Sequence, residues 1–451
     1  MLRVLYIDLC PSPGGSNISL LHLVSHLDRR QVQPLVALAA VNPFTRFEEA
    51  GIPVARVHTP RWERQLPRPP TPEAPDKSGR PDLARTHPVT LSPCHLVIPP
   101  DKPGRPEPVR TPAGRLAEAM RSNPGRARLW HAAGGVRRLG RDELPVALAL
   151  RRIIASFRPH LVHLNDVLSL NQAGALASRS AGVPAICHCR SFDLATPAET
   201  RWLLPGIDGM IFISQAIAQA HLAATPRLRH HAIIPNALDL ADFAGPVEVA
   251  GVRATLDVPP AAPLLAMAGR ISPWKGQHIF VEALAQVAAV RPAVHGVIVG
   301  QPEEADGPGY AARVAAQAAA LGLDSHLHWA GFRSDMPQVL AAADVVVHCS
   351  VKPEPFGRVI IEGMAAGRPV VASALGGAAE IITHGEDGLL TPAGDAAALA
   401  AALLRLLDDP SQRERLGQAA RRTVARRYQV DAHVRAVATF YQRVLAERSE
   451  V

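Results

Sequence analysis

Residues 345–372 read Val345-Val-Val-His-Cys-Ser350-Val-Lys-Pro-Glu354-Pro-Phe-Gly357-Arg-Val-Ile-Ile-Glu362-Gly-Met-Ala-Ala-Gly367-Arg-Pro-Val-Val-Ala372. Two apolar runs, 345–349 and 369–372, flank a stretch with helical character over 358–366. The run 345–349 is continuous rather than alternating, the pattern of a strand buried on both faces of a parallel sheet. Strand, helix and strand in this order form a β-α-β unit. Glu354 falls in the loop after the first strand, Phe356-Gly357 opens the helix, and Glu362 lies inside it. At ~1.5 Å of rise per residue, Glu362 is roughly 8 Å from the helix start. Backbone N–H groups at a helix end favour an anion. A carboxylate on either side of that end suits hydroxyls flanking a phosphate, although two glutamates at this spacing also fit plain surface charge.

The same alternation extends in both directions. Upstream, strands are predicted at 264–268, 294–299 and 326–329, with helices at 277–290, 310–321 and 336–342. Downstream, helices are predicted at 396–407 and 429–448, the latter carrying the apolar stripe Val434, Val437, Phe440 and Val444. The first half of the chain shows an independent series. Its strands are predicted at 3–9, 32–39, 161–164, 185–189, 209–213 and 231–234, its helices at 14–28, 146–157, 168–181 and 215–223. Two consecutive doubly wound α/β domains follow, residues 1–240 and 241–428, joined near 236–244. The helix 429–448 needs a partner surface for its stripe and is expected to pack back on the first domain.

One segment breaks the pattern. Residues 61–124 hold 15 prolines, which remove backbone donors and interrupt helix and ladder alike. Only 113–121 offers a short helical pattern there. Residues 61–140 carry 15 Arg and Lys against 7 Asp and Glu, so this insert accounts for the whole net charge of +8. The stretch has few aromatic residues and no nucleic-acid reading module, which argues against a nucleic-acid partner. It leaves two readings, attraction to an anionic membrane surface or a charged acceptor, or a solvated loop without function.

The remaining composition narrows the class. At 451 residues and 47% hydrophobic content, the chain supports two or three full cores. No apolar run approaches the ~20 residues that cross a bilayer, and the N-terminus reads as a strand rather than a secretory signal. Five cysteines without a C-x-x-C pair imply neither a zinc site nor a disulfide framework. A cytoplasmic location, peripheral at the inner face of the membrane if the basic insert acts there, is expected.

Three further segments carry chemistry. Cys10-Pro-Ser-Pro-Gly14-Gly15-Ser16-Asn17 joins a strand to a helix and reads as a phosphate-accepting loop or a simple tight turn. It matches neither G-x-G-x-x-G nor the P-loop pattern. Gly269-Arg270-Ile-Ser-Pro-Trp-Lys275-Gly276 places a forked and a point cation at a strand-to-helix junction, suited to a diphosphate or to solvent. Ile186-Cys-His188-Cys-Arg190 and His163-Leu-Asn165-Asp166 end two strands of the first domain, on the edge where doubly wound sheets bind ligands.

Together these segments resemble the retaining GT-B glycosyltransferases of family 4, the glycosyl transferases group 1. The resemblance rests on Glu354 and Glu362 with Pro-Phe-Gly between them, on Gly269-Arg270 with Lys275-Gly276, and on Gly14-Gly15. Ile234-Pro-Asn-Ala-Leu-Asp239 and Gly376-Gly377 with Glu380, Gly385 and Gly388 add to it. It covers about 1–60 and 145–450 and does not extend to the insert. It implies two Rossmann-like domains facing a central cleft, and transfer of a hexosyl unit from a UDP-, GDP- or ADP-sugar to a glycan, lipid-linked or small-molecule acceptor, as in cell-envelope polysaccharide assembly. It also implies roles. Arg270 and Lys275 would neutralise the leaving diphosphate, Glu354 would accept from the donor sugar, and Glu362 from the ribose. Phe356 and Gly357 would offer backbone N–H groups, Gly14 and Gly15 would close over the phosphates, and Phe332 and Arg333 would hold the base. His188 would be the pocket histidine, with Asn165 and Arg190 on the acceptor side. No metal or other cofactor is expected, because cations and helix ends take that role. A sugar-nucleotide epimerase or a non-catalytic glycan-assembly subunit are the alternatives, and turnover of a nucleotide-sugar panel separates them.

Overall fold

The computed structural model describes residues 1–11, 14–64, 139–225, 228–302 and 309–448. Most of the basic insert, including the helix expected at 113–121, lies outside them. The chain divides into two units, Met1–Thr59 with Pro145–Val451, and Pro60–Leu144. The described ends of the second unit hold a short helix, Pro60–Glu63, and the π-turn Leu139–Glu143, with Arg64 paired to Asp142.

The first unit contains two parallel sheets, one in each of two lobes. The first lobe uses β1 (Leu2–Asp8), β2 (Val32–Ala39), β3 (Val54–Val57), β4 (Leu161–Asn165), β5 (Ala185–Cys189), β6 (Gly209–Phe212) and β7 (His230–Ile233). Their order is β3-β2-β1-β4-β5-β6-β7. The second lobe uses β8 (Leu264–Ala268), β9 (His295–Val299), β10 (Leu327–Gly331), β11 (Val345–His348), β12 (Val370–Ser373) and β13 (Leu389–Thr391), in the order β10-β9-β8-β11-β12-β13. Every pairing is parallel. The apolar runs account for this: Val4–Ile7 and Val345–Val347 are fully buried, as strands covered on both faces must be.

Each sheet has one point where the strand order reverses. In the first it lies between β1 and β4, in the second between β8 and β11. Loops leaving the carboxyl ends there diverge to opposite faces and open a crevice. The Gly14-Gly15 loop follows β1, Asn165 ends β4, the Arg270–Lys275 loop follows β8, and the Glu354 loop follows β11. All four motif segments therefore stand at switch points.

The chain crosses between lobes twice, and the crossings pair. Leu238 N donates to Tyr428 O at 2.9 Å, and Val430 N donates to Leu238 O at 3.0 Å. The helix Val430–Arg448 then lies on the first lobe, where Val437, Phe440 and Tyr441 join a core with Val4, Tyr6, Leu161, Ile186 and Ile211. Another apolar cluster runs through both lobes, from Leu5 and Val162 to Val346, Ile360 and Tyr428.

Candidate active site

The second-lobe half of the site is built by two loops packed on each other. Gly276, at φ 79°, turns the β8 loop so tightly against the end of β11 that a Cβ there would lie 2.0 Å from Cys349 O. Only glycine serves at that position. The close approach brings Lys275 to the Glu354 loop, 79 residues away, where Lys275 Nζ donates to Glu354 Oε2 at 2.8 Å. His348 Nε2, on β11, and Ser350 Oγ each reach the same oxygen at 3.0 Å. Burial pushes the Glu354 carboxyl up, but the Lys275 charge and the His348 hydrogen bond outweigh it and hold the group well below the usual carboxylate range. Glu354 is thus an ionised, almost fully enclosed acceptor. Lys275 also lies over the Trp274 ring, 4.1 Å from its centroid.

Glu362 stands on the helix Arg358–Ala365 and accepts from Arg358 Nη2 at 3.1 Å. The other end of that guanidinium, Nη1, donates to Ser19 Oγ at 3.1 Å, on the first-lobe helix Gly15–Ser25. Arg358 therefore straps the lobes together beside the Gly14-Gly15 loop.

The first-lobe half is a buried polar chain. Asp8 Oδ2 accepts from Asn17 Nδ2 at 2.9 Å and from Asn165 Nδ2 at 2.7 Å. Asn17 Oδ1 accepts from Gly14 N at 3.0 Å, which fixes the glycine loop. Asn165 Oδ1 accepts from Arg190 Nε at 2.7 Å, and Arg190 Nη1 continues to Asn236 Oδ1 at 2.6 Å. With no cation touching it among the described residues, Asp8 is pushed up by burial to about 6.

The structure brings Lys275 and Glu354 into contact and places Glu362, Gly14 and Gly15 beside the Arg358 strap. It joins Asn165 to Arg190. Other expected residues stand differently. His188 is completely buried, 5.2 Å from His163 and stacked 6.1 Å from His433 between ring centroids. Its Nδ1 lies 3.3 Å from Arg190 Nη2, and Nε2 is enclosed without a partner among the described residues. Burial, then the Arg190 charge, push its basicity well below the ordinary range. The strand end is held by Arg190, with His188 beneath it. Arg333 is engaged by Asp335, through Nε at 2.8 Å and Nη2 at 2.7 Å, while Phe332 is 72% exposed. The Phe356 ring is core, edge-on to Tyr428 at 5.8 Å.

Sequence reasoning did not single out His348, Ser350, Asn17 or Asn236 for the site. Asn17 and Asn236 lie within the quoted loop segments, and Asp8 left a signal as an acidic residue closing an otherwise apolar buried strand.

Residues 252–423 match the family of glycosyl transferases group 1, and residues 82–237 match the glycosyl transferase 4-like domain. The 2-deoxystreptamine glucosyltransferase of Streptomyces kanamyceticus is 30% identical over 308 residues, covering 63% of this chain and 77% of that protein. The chain belongs to the glycosyl transferases group 1 family. The lipopolysaccharide core biosynthesis glycosyltransferase LpsE of Rhizobium meliloti (strain 1021) is 34% identical over 194 residues, which are 43% of this chain and 54% of that protein. The chain thus spans about half the length of that relative. Among solved structures, Anabaena Alr3699/HepE in complex with UDP and glucose is similar at a TM-score of 0.72 and 25% identity, over 98% of this chain and 100% of that one. The group 1 match takes in Arg270, Lys275, Phe332, Arg333, Glu354, Phe356, Gly357 and Glu362. The 4-like match takes in Asn165, His188 and Arg190, and it begins inside the Pro-rich insert, which the sequence-based resemblance leaves out.

Proposed function

We propose that this chain transfers a hexosyl unit from a nucleoside-diphosphate sugar to an acceptor hydroxyl, with retention at the anomeric carbon. The observation that carries the reading is the Lys275–Glu354 contact at the switch point of the second sheet, with Arg270 in the same loop. Cleavage of the donor builds negative charge on the departing diphosphate. A cation fixed in place beforehand stabilises that charge without reorganising in the transition state. Lys275 spends one of its three N–H donors on Glu354 and keeps two for phosphate oxygens. Glu354, kept ionised, accepts from a donor-sugar hydroxyl, and Glu362 shares itself between Arg358 and the ribose. The Gly14-Gly15 loop supplies first-lobe N–H groups. His188 serves by holding Arg190, which with Asn165 frames the acceptor side. Arg270 and Lys275 take the place a divalent cation fills in other transferases. The UDP bound to the Anabaena relative supports a nucleotide donor, and the polysaccharide and aminocyclitol enzymes among the relatives support a glycan, lipid-linked or small-molecule acceptor.

The test is a panel of UDP-, GDP- and ADP-sugars with product analysis. Transfer with release of the nucleoside diphosphate is expected, an isomerised donor rejects the reading, and no binding of any donor also rejects it. No helix among the described residues is long and apolar enough to cross a membrane. The charge of the 61–140 insert supports attraction to anionic lipid or to a charged acceptor. Deleting residues 66–125 is expected to weaken liposome binding or turnover with a lipid-linked acceptor while donor binding holds.

A further inference from the structure

The lobes also meet behind the donor loop, at residues that the proposed chemistry does not use. The helix Gln215–Ala224 of the first lobe presents its first backbone N–H groups to a second-lobe carboxylate. Gln215 N donates to Glu380 Oε2 and Ala216 N to Glu380 Oε1, both at 2.7 Å. Charge-assisted bonds at the positive end of a helix are among the stronger contacts available to a carboxylate, and two of them fix both of its oxygens. Beside them, Ser214 Oγ donates to Pro355 O at 2.7 Å while accepting from Ile217 N at 3.2 Å. Ser214 is thus at once the cap of its own helix and a contact to the segment between Glu354 and Phe356.

The second lobe reinforces that segment from its own side. Gly377 N donates to Glu354 O at 2.7 Å. Gly376, at φ 63°, lies so close that a Cβ would come within 2.5 Å of the same oxygen. Glu380 follows three residues after Gly377, and its backbone oxygen accepts from Arg427 at 3.1 Å. Arg427 in turn precedes Tyr428, the residue at the crossing between lobes that also packs on Phe356.

We propose that Ser214 and Glu380 are positioning residues which aim the backbone N–H of Phe356 at the donor and couple that aim to the relative placement of the lobes. The peptide plane supplies the mechanism. In a trans peptide the carbonyl and the following N–H point in opposite directions. Ser214 draws the Pro355 carbonyl toward the first lobe, so the Phe356 N–H on the same plane faces away from Ser214. The Glu380 clamp holds Ser214 where it makes that bond. A rotation of the lobes that separates Ser214 from Pro355 releases the peptide plane. By linkage, a nucleotide that uses the Phe356 N–H favours the clamped arrangement.

This inference rests on the proposed donor site, and the test separates the two. Hydrogen exchange on the full chain, with and without UDP, GDP or ADP, reads 214–217 and 354–363 independently. The nucleotide that protects 354–363 is expected to slow exchange at Gln215 and Ala216 as well. Glu380→Gln, which keeps one acceptor oxygen, and Ser214→Ala are each expected to weaken binding of that nucleotide about five-fold, the size of one hydrogen bond. The double variant is expected to lose less than the product of the two. Protection of 354–363 with 214–217 unmoved, and variants that bind as the parent does, overturns the inference alone. Absence of any response at 269–276 and 354–363 to all three nucleotides overturns the donor reading and this inference together.

Discussion

The two lobes bury charge at equivalent switch points in opposite ways. In the second, cation and carboxylate touch: Lys275 lies 2.8 Å from Glu354, and His348 and Ser350 share the same oxygen. In the first, Asp8 and Arg190 are both buried, but the Asn165 amide stands between them, giving its N–H to one and its carbonyl to the other. Direct contact keeps Glu354 ionised far below neutrality, while burial raises Asp8 to about 6 against the opposing Asn165 hydrogen bond. The second lobe is therefore set to meet a ligand with fixed charge. The first is a hydrogen-bonded frame that holds a glycine loop and one guanidinium in place.

Substitutions test how far that contrast holds. Lys275→Ala is expected to have the largest effect, lowering turnover by ~10²–10³, as loss of one transition-state charge partner does. A single-turnover assay at saturating donor checks it, and full turnover in this variant erases the catalytic side of the comparison. Arg190→Ala should act on stability instead, because it leaves the Asn165 and Asn236 carbonyl oxygens buried without their donor. A loss of about 3 kcal/mol in urea unfolding is expected. A large fall in turnover with stability intact would show that Arg190 acts on the reaction as Lys275 does.

A pH experiment sharpens the comparison at smaller scale. Asp8 holds its proton more tightly folded than unfolded, so its stabilising contribution is fully present below its ordinary pKa of 3.8 and is lost as the pH rises through about 6. Between pH 7 and pH 5 the parent should gain about 1 kcal/mol relative to Asp8→Asn. Glu354 has the opposite sign. Its stabilisation is present above its ordinary pKa of 4.5 and is lost only as the pH falls through its depressed value. Glu354→Gln should therefore show no such gain between pH 7 and pH 5. Paired urea titrations of both variants read the two signs directly. Arg358→Ala is expected to change least. It removes the Ser19 contact and frees Glu362 together, shifting the donor KM by no more than about five-fold, the scale of one hydrogen bond.

The contrast also explains what is legible in the sequence. The second lobe's site is carried by two short segments with recognisable spacing, and Lys275 and Glu354 stand out within them. The first lobe's frame draws single residues from β1, β4, β5 and the crossing segment, none of which marks its neighbours. His188 shows the limit. Its place at the end of a strand next to Arg190 is visible in the sequence, but whether the ring faces the crevice or the interior depends on what covers the sheet. His433, on the helix that returns from the far end of the chain, covers it. Arg333 is similar: its cation is evident, and its engagement by Asp335 is a matter of local turn geometry.

By itself the amino-acid sequence determined the two series of parallel strands, the loops that leave them and the family to which those loops point. These follow from apolar runs, glycines and helix starts, which act over a few residues. Only the tertiary structure decided that residues 275 and 354 share a charge-assisted contact, that Ser214 reaches Pro355 while Glu380 holds the start of the helix behind it, and that Arg358 ties Glu362 to Ser19. Each of those contacts joins loops from different strands or different lobes. Strand order, register and the paired crossing at Leu238 and Gln429 set their distances, and no local pattern encodes these.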